Sequence, residues 1–248
     1  MEGVRAVAEA RRAGANVRFA VCSPRLRSTL HGDALVEDLG AVTELLWVAD
    51  EELASLSDMH VTQGIMAVCT EPHWTLQDVM SRKEEGVLLL DGVQDPGNVG
   101  TLVRTGVGFG VGGVVALEGT VDLWSTKVVR ASAGAVFQGP MVRASWDAVE
   151  SVLKDHEVPL FLADPSGVDA RTVSAAEGWA LVLGNEGAGG SPAIRSSAGT
   201  VLRVPMAGDL DCLNVAVAGA ILLYILKTNG RSGRDRGGDP TVLSRRVD

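Results

Sequence analysis

The stretch Val87–Thr105, VLLLDGVQDPGNVGTLVRT, decides how the chain is read. Val87–Leu90 is a continuous apolar run, the mark of a strand covered on both faces, as in a parallel sheet. A loop comes next, at the carboxyl end of that strand, where open α/β sheets hold ligands. Pro96 and Gly97 predict a turn, and Asn98 predicts the cap of a helix beginning near Val99. Within that helix Val99, Leu102 and Val103 share the apolar face, and Arg104 lies away from it. Taken alone, the stretch reads equally well as a ligand loop or as an ordinary βα connection with a surface arginine.

Working outward, Val114–Leu117, Pro159–Ala163, Ala180–Leu183 and Thr200–Val204 repeat the buried-strand pattern. Helical patterns lie between them at Val99–Phe109, Thr126–Phe137 and Ser145–His156, the last with Ser145 as N-cap. Strands alternating with helices predict a parallel α/β sheet with right-handed crossovers. Two further strand ends resemble the first: Leu181–Gly190 (LVLGNEGAGG), with Glu186 in a glycine-rich loop, and Val204–Tyr224, where Asn214 opens an apolar helix. Three such loops in one domain predict a single concave site. The helix Leu213–Lys227 is apolar on nearly every side, which predicts burial all round and a subunit interface. Gly108–Gly113 (GFGVGG) matches a dinucleotide fingerprint in spacing, but it follows a helix and leads into a strand, so it reads as an αβ turn.

Residues 1–71 carry a helical face at Val4, Val7, Ala8 and Ala10, a strand at Val17–Val21, and short helices at Asp33–Leu39 and Asp50–Leu56, the second capped by Asp50. A further strand falls at Ile65–Val68. This predicts a small α/β domain. Residues 72–86 are polar and read as a linker with one or two helical turns, 87–229 as the main domain, and 230–248 as a disordered tail with five Arg, three Asp and four Gly.

Over 248 residues the net charge is −9, which argues against retention on nucleic acid by bulk charge but leaves room for a local basic patch. Aromatic residues make up 4%, little material for a base-stacking platform. Cys22, Cys69 and Cys212 are far apart, and with four scattered histidines they predict neither a disulfide framework nor a metal site. No apolar run reaches the ~20 residues that span a bilayer, and the start has no signal-peptide pattern, so a cytoplasmic, membrane-free protein is expected.

The order and content of the three loops resemble the SpoU/TrmH family of RNA ribose 2′-O-methyltransferases, in the SPOUT superfamily, over about residues 87–224. The first motif, D-P-x-N-x-G-x-x-x-R-T, is met by Asp95, Pro96, Asn98, Gly100, Arg104 and Thr105. Gly184, Asn185, Glu186, Gly187 and Gly189 meet the second. Pro205, Met206, Gly208, Leu213, Asn214, Val215 and Ala218 meet the third. Lys127–Gly134 (KVVRASAG) looks like a further family segment. Two departures stand out. Cys212 replaces the family's serine, and a thiol is the weaker hydrogen-bond partner. Relatives also carry residues ahead of the segment Glu2–Ala10, so a missing first strand or a misassigned start is expected.

The resemblance implies a SPOUT-type parallel sheet with a C-terminal trefoil knot, preceded by a ribosomal-protein-like RNA-binding domain. It implies S-adenosyl-L-methionine (AdoMet) as co-substrate, without metal, held by Gly184, Glu186, Gly187, Val204, Met206 and Leu213. It implies catalysis by Arg104, Asn98, Glu186 and Asn214, with Arg104 assisting deprotonation of the ribose or clamping phosphate, and Asn98 orienting Arg104 or the ribose. Glu186 would order its own loop or pair with a basic residue. A homodimer is implied, with RNA as partner, rRNA ahead of tRNA; the alternative is a catalytically silent RNA-binding relative.

Overall fold

The computed structural model describes residues 1–57, 61–175, 177–207 and 212–231. Gly208 of the third motif and the expected tail from residue 232 onward lie outside them. Two sheets organise the chain. The first has the order β2-β1-β3, from β1 (Val17–Cys22), β2 (Glu44–Trp47) and β3 (Ile65–Cys69), with β2 parallel and β3 antiparallel to β1. Glu2 adds an antiparallel bridge to Met66, and the Met1 ammonium donates to the Ala67 carbonyl at 2.8 Å. Helices α1 (Val4–Arg12), α2 (Leu30–Gly40) and α3 (Asp50–Leu56) complete this part, whose core holds Val7, Ala20, Leu26, Leu39 and Ile65. Asp50 is not the cap of α3. It is the first helical residue after Ala49, and its carboxylate accepts from the Arg25 N–H at 3.3 Å.

The second sheet is parallel throughout, in the order β6-β5-β4-β8-β7-β9. Its strands are β4 (Val87–Asp91), β5 (Gly113–Ala116), β6 (Met141–Arg143), β7 (Leu160–Asp169), β8 (Ala180–Gly184) and β9 (Thr200–Arg203). The expected double burial of Val87–Leu90 is found. Leu88 and Leu90 point into a core closed by α5 (Pro96–Gly108), α6 (Thr126–Ala131) and α9 (Val215–Arg231). Val87 and Leu89 point into another, closed by α4 (Leu76–Met80), α7 (Trp146–Asp155) and α8 (Pro192–Ser197). The segment expected as a linker therefore supplies core residues, Val79 and Met80 of α4, with Thr75 as N-cap.

Two of the expected helices need correction. Helix Thr126–Phe137 is broken: after α6 the chain takes φ of 52° at Ala133 and 85° at Gly134 before a 3-10 turn at Ala135–Phe137. A Cβ on Gly134 would lie 2.7 Å from the Ala6 carbonyl, so the break lets α1 approach closely. Helix α9 starts at Val215 rather than Leu213 and is not buried all round. Ala216, Leu222, Leu223 and Leu226 form the buried stripe, while Val217 and Tyr224 are 48% and 57% exposed. The glycine-rich stretch 108–113 is the αβ turn expected of it, running from the end of α5 into β5.

Candidate active site

The three loops converge because of strand order. β4 and β8 are neighbours, in register down to the pair Asp91–Gly184, so the first and second motifs leave the sheet side by side. Asp91 accepts from the Ser191 N–H at 2.6 Å, and the Asn185 side-chain amide donates to the Gly92 carbonyl at 2.9 Å. Asn185 also closes its own loop: its Oδ1 accepts from the N–H groups of Gly187 and Ala188, and its backbone bridges Gly189 in both directions. The fold-back explains Gly184, where a Cβ would sit 2.3 Å from the Gly189 backbone.

Asp95, not Asn98, caps α5. Its Oδ1 accepts from the Asn98 N–H at 2.7 Å, with Pro96 in the first helical position, which its fixed φ and missing N–H suit. This leaves the Asn98 side chain free for other contacts, and it links all three motifs. Asn98 Nδ2 donates to Glu186 Oε1 at 3.0 Å, and Asn98 Oδ1 accepts from Asn214 Nδ2 at 2.9 Å. Asn214 Oδ1 in turn accepts from the Ala216 and Val217 N–H groups, capping α9. Glu186 is further approached by the backbone N–H groups of Asp95 at 3.4 Å and Gln94 at 3.5 Å. Burial opposes its charge, but hydrogen bonds from Asn98 and the loop backbone outweigh that and hold its carboxyl below the ordinary range. Its partners among the described residues are amides, which leaves loop ordering, of the two roles expected, as the one its contacts fit.

Beside this chain of amides lies a cavity of about 470 Å³. All six residues expected to hold the co-substrate line it: Gly184, Glu186, Gly187, Val204, Met206 and Leu213. Leu183, Leu202 and Leu222 supply apolar wall, and Asn214 and Cys212 also face it. Among the described residues its charged lining comprises two carboxylates, Asp164 and Glu186, and one cation, Arg203. Sequence reasoning misses Asp164, since a lone Asp-Pro after a strand resembles any turn. Burial opposes its charge too, yet Arg195 and Ser166 hold its carboxyl down to about 2. The size is usual for a small-molecule site, and the apolar walls, open backbone and net negative lining suit a ligand with an adenine ring and a sulfonium.

Arg104 is placed differently. It is exposed on α5, does not line the cavity, and makes no hydrogen bond or ion pair among the described residues. Asn98 does not contact it. Thr101, Arg104 and Gly108 form an exposed stripe on α5, which packs beside α9. The described residues contain no group of three or more His, Cys, Asp or Glu able to hold a metal ion. None of the described helices is long and apolar enough to cross a membrane.

Comparison with known proteins agrees with this geometry. Residues 85–224 match the SpoU rRNA Methylase family. The chain is 36% identical over 191 residues to the 23S rRNA (guanosine(2553)-2′-O)-methyltransferase RlmP of Bacillus subtilis (strain 168), covering 77% of this chain and 75% of that protein. It is 27% identical to the human mitochondrial rRNA methyltransferase 3, covering 90% of this chain and 66% of that one. Among solved structures, the SpoU methyltransferase AviRb from Streptomyces viridochromogenes in complex with AdoMet superimposes with a TM-score of 0.84 at 26% identity, over 94% of this chain and 91% of that one. The chain belongs to the SpoU/TrmH family of AdoMet-dependent RNA 2′-O-methyltransferases.

Proposed function

We propose that this chain transfers the AdoMet methyl group to a ribose 2′-hydroxyl of ribosomal RNA. The observation that carries the reading is the Glu186–Asn98–Asn214 chain, which ties the three motif loops together at the rim of a cavity fit for AdoMet. When bound, AdoMet supplies an electrophilic methyl on a sulfonium that leaves as a neutral thioether. The residues of this chain do the rest. The loop backbones of Gly184–Gly189 and Val204–Met206 enclose and orient the co-substrate. Glu186, kept ionised, fixes the first loop against the second. A guanidinium offers no lone pair to take a proton, so Arg104 acts on the RNA side of the rim, clamping a phosphate and stabilising the oxygen as its proton passes to an RNA phosphate oxygen or to water.

The relatives favour rRNA over tRNA: RlmP and the human protein are both named for rRNA. The chain works as a cytoplasmic homodimer in this reading. The uncovered stripe of Val217 and Tyr224 on α9, next to the exposed face of α5 that carries Arg104, is the surface a second copy would cover. That copy would also enclose Arg104, which stands outside the cavity of its own chain. Residues 1–71 serve as the RNA-binding domain, 72–86 connect, and 87–229 form the catalytic domain, whose α9 would thread a trefoil knot. Contact of α9 with both α5 and the Ala170–Thr172 turn supports that path.

Transfer of labelled methyl from AdoMet to bulk bacterial rRNA and tRNA, with mapping of alkali-resistant 2′-O-methylated nucleotides, tests the reading. Incorporation at one rRNA ribose is expected. AdoMet binding without transfer to any RNA would leave a silent relative; label on a base would refute ribose chemistry.

A further inference from the structure

Two clefts outside the AdoMet cavity share one wall, the indole of Trp74. The first, about 210 Å³, also holds His73, Trp124 and Arg143, with Glu71 and Asp122 at its edge. The second, about 500 Å³, adds Arg12 and Arg82. The Trp74 Nε1–H is buried and has no hydrogen-bond partner. Trp74 itself is half-buried and packs its inner side on the core, so what it offers the two clefts is ring surface rather than a hydrogen-bond donor. In a chain of net charge −9 with few aromatic residues, three arginines and two tryptophans gather here, against two carboxylates.

The smaller cleft is tied to the active-site loops. Thr120, in the loop after β5, accepts through Oγ1 from the Gly92 N–H at 2.9 Å, and its carbonyl accepts from Arg143 at 3.0 Å. The Val121 N–H donates to the Val93 carbonyl at 3.0 Å. Gly92 is the residue whose carbonyl Asn185 holds. The smaller cleft therefore runs along the edge strand β6, two strands from β4, and meets the carboxyl edge of the sheet through the loop after β5. Trp124 meets Phe137, which lines the larger cleft, in a tilted contact with ring centroids 5.2 Å apart.

We infer that these clefts form a track for the single-stranded RNA flanking the methylated nucleotide, with a base stacked at Trp74 and Trp124 and the adjoining phosphates on Arg82 and Arg12. The inference rests on the RNA reading of the active site. Aromatic faces interleaved with guanidinium groups are how single strands are held without sequence readout. The smaller cleft has room for one base, and its carboxylates can accept from base amino groups. The larger cleft is lined by the exposed Arg82 and by Arg12, whose guanidinium pairs with Glu9 at 2.9 Å, and Arg82 suits a phosphate. Because Arg12 belongs to α1 and Arg143 to β6, the track joins the N-terminal part of the chain to the catalytic edge.

The test uses the full chain and a short single-stranded oligoribonucleotide carrying 4-thiouridine, without AdoMet. Photo-crosslinks are expected on the segments around Trp74, Trp124 and Arg82. Trp74→Ala should weaken oligonucleotide binding about 5- to 100-fold, the range for one lost stacked base. Trp74→Phe should restore most of it. Arg82→Glu, at an exposed side chain, should weaken binding and lower its salt dependence without touching the fold. AdoMet affinity should stay unchanged in all three. Wild-type RNA affinity in both Trp74→Ala and Arg82→Glu, or crosslinks confined to other segments, overturns the track. Failure of the wild-type chain to bind AdoMet would instead overturn the proposed function, since the crosslinking needs no co-substrate.

Discussion

Asn98→Ala removes the link that joins the three motif loops and little else. Its backbone N–H still meets the Asp95 cap, and Pro96 still starts α5, so the helix should persist. Two side-chain hydrogen bonds vanish: the one to the ionised Glu186 and the one from Asn214. A bond to a charged group contributes about 1.5–3 kcal/mol and a neutral one about 0.5–1.5 kcal/mol. All three groups stand near solvent, so the low ends apply and the loss is roughly 2 kcal/mol of loop ordering. The backbone N–H groups of Gln94 and Asp95 stand at 3.4–3.5 Å from Glu186 and replace little of it. If only the ordered loops bind AdoMet, affinity falls by about 10- to 30-fold. Melting temperature should move by only a few degrees.

Calorimetric titration of AdoMet into Asn98→Ala, Glu186→Gln and the double variant checks this. The two positions act through one bond, so their effects should be non-additive by about 1 kcal/mol. Additive losses, or wild-type affinity in Asn98→Ala, would refute the idea that the amide chain organises the site. A large fall in melting temperature would show that Asn98 serves the fold instead.

Arg104→Ala should lower methyl transfer by at least ~10²-fold while AdoMet affinity and melting temperature hold, and Arg104→Lys should recover little, because an ammonium lacks the guanidinium fork; single-turnover assays decide. Tyr224→Asp should convert a dimer to a monomer by light scattering at micromolar concentration, whereas a wild-type chain already monomeric there would dispose of the α9 interface. Gly219→Val should lower the melting temperature and AdoMet affinity together, since even a Cβ there would lie 2.5 Å from Leu102 and from Leu183, and overpacking of this kind costs about 1–3 kcal/mol. Glu186 is held below its ordinary value of 4.5, so the stability its ionised form contributes is fully present above that value and is lost as pH falls through the lower folded value; Asn98→Ala should shift that loss to higher pH in acid titrations of stability.

Much of the larger sheet is legible because a parallel sheet covered on both faces writes itself as apolar runs, and five of its six strands are such runs. β6 escapes because Met141–Arg143 is three residues long, too short to carry a period. β2 escapes for a related reason: it is an edge strand with Glu44 and Trp47 exposed, so no alternation marks it. Helix α8 is six residues after a glycine-rich loop and looks like part of that loop. Sequence points to Asn98 as the cap of α5 because Asn is a good cap and the apolar period begins at Val99. Asp95 is also a good cap, and the proline after it settles the competition.

The change of cap has a functional consequence. A capping Asn98 would have turned its oxygen back on its own helix and away from Asn214. With Asp95 in that role, the helix terminus is satisfied locally, and Asn98 sits one turn in, where both ends of its amide reach across 88 and 116 residues of sequence to Glu186 and Asn214. The residue types in the motifs are readable from sequence, but the division of labour between them is not, because it depends on β8 lying beside β4. Once that adjacency is set, Glu186 must approach the first loop, and an acid there finds amide N–H donors and no cation. Arg104 faces outward on α5, the face to which the proposed function brings RNA or a second copy of the chain. In the proposed function such a site has its co-substrate side built within one chain, and its nucleophile side completed by what docks on α5. AdoMet should therefore bind with affinity independent of RNA-facing substitutions on α5, and transfer should respond to all of them.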